Sequence, residues 1–235
     1  MKTLGIIGGL GPESTVVYYR SIISGFRERS QAGNYPQIIV NSIDLSRFLE
    51  LMAANDYAGV TEFLVAEVKK LAAAGASFGI IAANTPHVVF DDVQRESPIE
   101  LLSIVAATCN AAKRQRLKRV GLFGTRYTMQ GKFYAHVFSK EGIELLLPGE
   151  SEQVFIDAKY FDELVKGMVL VETRQRLLAI VERMQNVERI DGLILGGTEL
   201  SLILGNEKAG RIPILDTTSL HVEAVLAHML PQERK

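Results

Sequence analysis

Four short polar stretches carry the residues of this chain best placed to do chemistry, and each follows directly on an apolar run. They are Gly8-Gly-Leu-Gly-Pro-Glu-Ser-Thr15, Asn84-Thr-Pro-His87, Gly124-Thr-Arg-Tyr-Thr128 and Gly196-Gly-Thr-Glu199. Small residues leading into a helix leave backbone N–H groups unpaired, and such groups suit a carboxylate or a phosphate. An anionic ligand is expected, with Gly9, Asn84, Thr85, Thr125 and Thr198 as candidate contacts. The ionisable groups nearby are Glu199, His87 and His221. A glutamate at a strand end either serves as a general base when partly desolvated or orients a loop by accepting backbone hydrogen bonds, and both roles stay open. Threonine hydroxyls are too weakly acidic and basic near pH 7 to remove a carbon-bound proton, so Thr85 and Thr198 are assigned hydrogen bonding. His221 lies on the opening turn of a final helical stretch, Ser219 to Val225, and is a candidate substrate contact as well, with a structural role slightly favoured.

Gly9-Leu-Gly11-Pro-Glu-Ser14 comes close to the dinucleotide fingerprint. Its third small residue is a serine, however, and the acidic residue after the next strand, Asp44, falls too late. A tight strand-to-helix turn is the better reading. The chain has no phosphate-binding lysine motif, and its four histidines are scattered without metal-ligand spacing. Chemistry without a cofactor or metal is the expectation.

The elements that would position these stretches repeat. Gly5-Ile-Ile-Gly-Gly9 is echoed by Gly121-Leu-Phe-Gly-Thr125, and Gly79-Ile-Ile-Ala-Ala-Asn-Thr85 by Gly192-Leu-Ile-Leu-Gly-Gly-Thr198. Ile38 to Val40 pairs off with Ile143 to Leu147, and Pro98 to Leu102 with Pro213 to Asp216. Apolar runs that do not alternate, separated by stretches of helical period, predict parallel strands covered by helices on both faces. Val60, Leu64, Val68 and Leu71 predict a helix over Asp56–Ala74, capped by Asp56 and stopped at Gly75. A second is predicted over Thr173–Met184. The predicted fold is α/β, with two pseudo-symmetric lobes, each a mostly parallel four-stranded sheet flanked by helices, and an active-site cleft between them. The expected division is 1–103 with 218–235, and 104–217.

Lysine plus arginine (26) nearly balance aspartate plus glutamate (27), which argues against nucleic acid or an anionic membrane as partner. The basic run Lys113 to Arg119 is read as a solvated helix end. The single cysteine, Cys109, excludes an internal disulfide and fits a reducing compartment, and its small-residue surroundings read as an inert packed thiol. No apolar run reaches the roughly 20 residues of a membrane span, so a cytoplasmic protein is expected.

Taken together, Gly5-Ile-Ile-Gly-Gly-Leu-Gly-Pro-Glu-Ser-Thr15, Asn84-Thr85 with His87, Gly121 to Met129, Gly196-Gly-Thr-Glu199 and Leu215-Asp-Thr-Thr-Ser-Leu-His221 resemble the motifs of the aspartate/glutamate racemase family nearly from end to end. The resemblance implies a cofactor-independent homodimer that moves a proton at the α-carbon of a small acidic amino acid. It also implies that Arg47 and Lys166 hold the substrate's side-chain carboxylate. The family's two catalytic cysteines stand directly before Asn-Thr and directly before Thr-Glu, where this chain has Ala83 and Gly197. Racemisation needs a thiolate on one face of the α-carbon and a thiol on the other. Alanine and glycine supply neither. Three readings stay open: a racemase-family enzyme using a base other than thiol, with Glu199 and His87 as candidates; an inactive relative that binds a dicarboxylate or acidic amino acid; and a lyase or decarboxylase needing one acid or base.

Overall fold

The structure, a computed structural model, describes residues 2–30, 34–205 and 212–230. It contains two four-stranded sheets, all of whose strand pairings are parallel. The first is built from β1 (Leu4–Gly8), β2 (Ile38–Ser42), β3 (Phe78–Ile81) and β4 (Glu100–Leu102), in the order β2-β1-β3-β4. The second uses β5 (Arg119–Gly124), β6 (Glu144–Leu146), β7 (Gly192–Gly196) and β8 (Ile214–Asp216), in the order β6-β5-β7-β8. The internal repeat read from the sequence is therefore a repeat of topology as well as of apolar runs. One compact unit runs to Ile104 and resumes at His221; the other spans Val105–Leu220. Both crossings fall inside helices, Ile104–Arg114 and Thr217–Met229.

Burial explains which runs lacked alternation. β1, β3 and β7 are buried at every position, and β5 at all but its first. These are the central strands, with helices over both faces. The edge strand β2 is only partly covered. In the first unit Leu4, Ile6, Phe78 and Ile80 pack against Tyr18, Ile22 and Phe26 of the helix Pro12–Arg29 and against Val225 and Leu226 of Thr217–Met229. In the second, Phe123, Leu193 and Leu195 meet Ile156 and Tyr160 of the helix Glu150–Asp162 and Leu177, Val181 and Met184 of Val171–Val187.

The helix predicted over Asp56–Ala74 spans Tyr57–Ala73, and the Asp56 carboxylate accepts the Gly59 N–H at 2.9 Å. Replacing that cap leaves a first-turn donor to water, so Asp56→Ala is expected to lower unfolding free energy by about 1 kcal/mol, read from urea denaturation. The predicted Thr173–Met184 helix extends further at both ends, to Val171–Val187. The basic run closes on local acids: Lys113 pairs with Glu141 at 2.6 Å and Arg119 with Glu144 at 2.5 Å, while Asp191 accepts the N–H groups of Lys118 and Arg119. Cys109 is buried in the helix Ile104–Arg114, and burial, then the charge of Glu141, pushes its thiol pKa up, the opposite of activation. Among the described residues no helix is long and apolar enough to cross a membrane.

Candidate functional site

In each sheet the chain leaves the first strand toward one edge and returns to build toward the other. The strand order therefore reverses between β1 and β3, and between β5 and β7. Ligands of open α/β sheets collect at the carboxyl ends of the strands flanking such a reversal. Those four strand ends lead into the four polar stretches singled out in the sequence.

In the first unit, the turn after β1 is held by its own groups. Gly9 has φ +82, and a Cβ there would lie 2.5 Å from the Ile43 carbonyl oxygen, so only glycine fits. Its N–H donates to Thr15 Oγ1 at 2.9 Å. Gly9 thus shapes the turn, and its amide is already engaged. Ser14 Oγ donates to the Ala82 carbonyl at 2.9 Å, tying the first turn of Pro12–Arg29 to the segment after β3. That segment leaves β3 at Ile81, sooner than the apolar run suggested, and passes through Ala83 and the buried Asn84 into a 3-10 helix, Thr85–Val89. Pro86 near its start suits this tight beginning.

His87 and His221 are built into the backbone. His87 Nδ1 lies 2.9 Å from the Ala83 carbonyl, and Nε2 accepts the Ile104 N–H at 3.2 Å. This pattern assigns the neutral Nδ1–H tautomer. The ring stacks on Phe90 with centroids 4.9 Å apart. Burial, then the proximity of His221, drives its pKa down to about 3. His221 donates from Nε2 to the Leu102 carbonyl at 2.9 Å and accepts the Tyr18 hydroxyl at Nδ1, also at 2.9 Å. Burial lowers its pKa to about 4. Both rings are therefore neutral near pH 7, with every ring nitrogen occupied.

Arg47 sits on the helix Leu45–Ala53 with its side chain 57% exposed, paired with Glu50 at 3.4 Å. In the second unit Lys166, itself exposed, ends the 3-10 turn Leu164–Lys166, which buries Leu164. Glu163 anchors this turn, accepting from Lys159 and, at 2.5 Å, from the Thr173 hydroxyl. Those two bonds hold the Glu163 carboxyl below the usual carboxylate range. Thr125 caps the helix Arg126–Gln130, accepting the Thr128 N–H at 3.3 Å.

The end of β7 holds a group that the sequence did not reveal. Gly197 is extended, with φ −177 and ψ 140, a conformation open to any residue. What restricts it is space: a Cβ there would lie 2.6 Å from Cε2 and 2.7 Å from the hydroxyl oxygen of Tyr160. The Tyr160 hydroxyl donates in turn to Glu199 Oε2, which also accepts the Thr198 hydroxyl at 2.7 Å. Both Tyr160 and Glu199 are 9% exposed. Burial, then the charge of Glu199, keeps the phenol protonated well above its ordinary range. Sequence gave no signal for this cluster, because Tyr160 stands 39 residues before Glu199 and reads as one more apolar position of an amphipathic helix. Among the described residues there is no group of three or more His, Cys, Asp or Glu side chains able to hold a metal.

Comparison with known proteins adds an independent line. A model of the Asp/Glu/Hydantoin racemase family matches residues 7–225. Over 232 residues, 97% of this chain and 98% of its counterpart, the chain is 22% identical to the broad specificity amino-acid racemase RacX of Bacillus subtilis. Among solved structures it resembles an aspartate racemase homologue from Pyrococcus horikoshii with TM-score 0.86 and 33% identity, over 97% of this chain and 99% of that one. It also resembles a Yersinia pestis protein provisionally described as an Asp/Glu racemase, with TM-score 0.91 and 31% identity, over 98% and 100% of the two chains.

Proposed function

The chain belongs to the Asp/Glu/Hydantoin racemase family, and from that premise we propose that it binds a small acidic amino acid or related dicarboxylate and moves a proton at the α-carbon without a pair of thiols. The observation that carries the reading is that each unit has polar strand-end loops, with Asn84 and Thr85 in the first and Thr125 and Thr198 in the second, while the neighbouring positions Ala83 and Gly197 hold no sulfur. Arg47 supports it from the first unit: an exposed guanidinium whose ion pair with Glu50 is a 3.4 Å contact within its own helix can turn to a ligand carboxylate. Lys166 is given the same task in the second. His87 and His221 are assigned to the framework, since neither has a ring nitrogen to offer. The reading includes no organic cofactor or metal, a homodimer, and a cytoplasmic setting in which Cys109 stays reduced.

The test is incubation of the protein with L- and D-aspartate and L- and D-glutamate in D₂O, following the α-proton by NMR, with calorimetric titration of the same ligands. Wash-in of deuterium supports proton transfer; binding with no exchange supports a binding protein. Arg47→Ala is expected to raise the ligand's Kd by about tenfold or more, the loss of one charge-assisted hydrogen bond. An unchanged Kd removes Arg47 from the site.

A further inference from the structure

We propose that Tyr160, backed by Glu199, is the proton-carrying residue of the second unit and occupies the place of the missing thiol. The inference rests on the reading above, that this chain acts on the α-carbon of an acidic amino acid. A side chain at position 197 would begin 2.7 Å from the Tyr160 hydroxyl oxygen, so the phenol stands where the first carbon of a cysteine at that position would have to be. Among the described residues the ionisable partner of this phenol is Glu199, whose Oε2 accepts its hydrogen bond directly. Thr198 donates to the same oxygen at 2.7 Å and fixes the carboxylate's orientation. Phenol and carboxylate lie at the end of β7, beside the strand reversal where ligands of such sheets gather.

The chemistry of the pair is a relay. As the α-carbon gives its proton to the Tyr160 oxygen, the phenol's own proton passes to Glu199 Oε2. The C–H electron pair stays on the substrate, delocalised into its carboxylate. No free phenolate forms, which agrees with a buried phenol that resists ionisation. Return of a proton by the reverse path delivers it to the face it left. In the interval the hydroxyl proton of Tyr160, which is the one taken from the α-carbon, and the proton on Glu199 both exchange with solvent, so the reverse relay returns a solvent deuteron to carbon. The outcome is α-proton exchange of one enantiomer with retention, where a two-thiol site would invert.

The experiment follows α-deuteration and chirality together for each enantiomer of aspartate and glutamate in D₂O, using wild type, Tyr160→Phe and Glu199→Gln, with calorimetric Kd values and urea melts of all three. The expected result is deuteration of one enantiomer without appearance of the other. Tyr160→Phe is expected to slow exchange at least 100-fold while Kd changes less than threefold, and Glu199→Gln to slow it comparably and alter its pH profile. Wild-type exchange that survives Tyr160→Phe overturns the role of Tyr160 and leaves the family reading standing. Appearance of the opposite enantiomer overturns the one-faced mechanism. Absence of exchange from wild type, with every ligand, overturns this inference and the proton-transfer reading together.

Discussion

Gly197→Cys is expected to destabilise the protein by about 1–3 kcal/mol, the usual cost of forcing extra atoms into a filled space, and not to create a racemase even when combined with Ala83→Cys. The two positions differ physically although the sequence presents them alike. Ala83 already carries a Cβ, half-buried at the end of its strand, so Ala83→Cys adds one atom and is expected to be close to neutral. At Gly197 the first added atom meets the Tyr160 ring at 2.6 Å, and that ring belongs to the packed core with Ile156, Leu200 and Ile203. Removing only the hydroxyl gives little relief, because the ring carbon Cε2 lies nearer than the oxygen. The decisive measurement is a double-mutant cycle by urea denaturation. Tyr160→Ala alone should cost about 3–5 kcal/mol as a large core truncation. In that background Gly197→Cys should become neutral or favourable, giving a coupling energy of about 1–3 kcal/mol. A Gly197→Cys variant as stable as wild type would mean that the tyrosine moves aside freely, and with it would go the argument that the ring claims the thiol's place.

The same residues show how much of this molecule was legible in its sequence. The central strands β1, β3, β5 and β7 coincide with apolar runs because a strand covered on both faces must be apolar nearly throughout, and that requirement is written locally. Asp56 announces its helix for a similar reason: the cap and the N–H it satisfies are three residues apart. Whatever depends on distant partners was not legible. His221 reads as an ionisable group until Leu102, 119 residues away, takes its N–H and Tyr18, 203 residues away, supplies a proton to its other nitrogen. Gly9 reads as a donor for an anion until Thr15 engages its amide. Gly197 reads as a lost thiol; only the packing of Glu150–Asp162 against the end of β7 shows that another group fills the space. The candidate loops were found from local pattern, whereas the roles of their side chains were set by tertiary contacts.

Acid should weaken this protein well above the pH at which its carboxylates protonate. The folded pKa values of His87 and His221 lie near 3 and near 4, against 6.5 for an unperturbed histidine. Below pH 6.5 the unfolded chain takes up two protons that the folded chain refuses. Stability therefore falls with falling pH, by about 1.4 kcal/mol per pH unit for each histidine, until the folded pKa is reached. Between pH 6.5 and 5 the pair accounts for a loss of about 3 kcal/mol, a large share of the stability of an ordinary domain. Urea denaturation at pH 7.5, 6 and 5 measures it. His221→Gln, whose amide can still donate toward Leu102, should lower stability at pH 7.5 yet reduce the slope between pH 6 and 5 to about half of the wild-type value. A slope that His221→Gln leaves unchanged would mean that this ring is not the buried neutral group its contacts describe. The result also bears on catalysis. A histidine serving as general base must reach its charged form near neutral pH, and a ring whose protonation unfolds the protein around it is unavailable for that task. Under the proposed function, proton transfer would fall to side chains that change partners without gaining net charge in the core, and the Tyr160–Glu199 pair meets that condition.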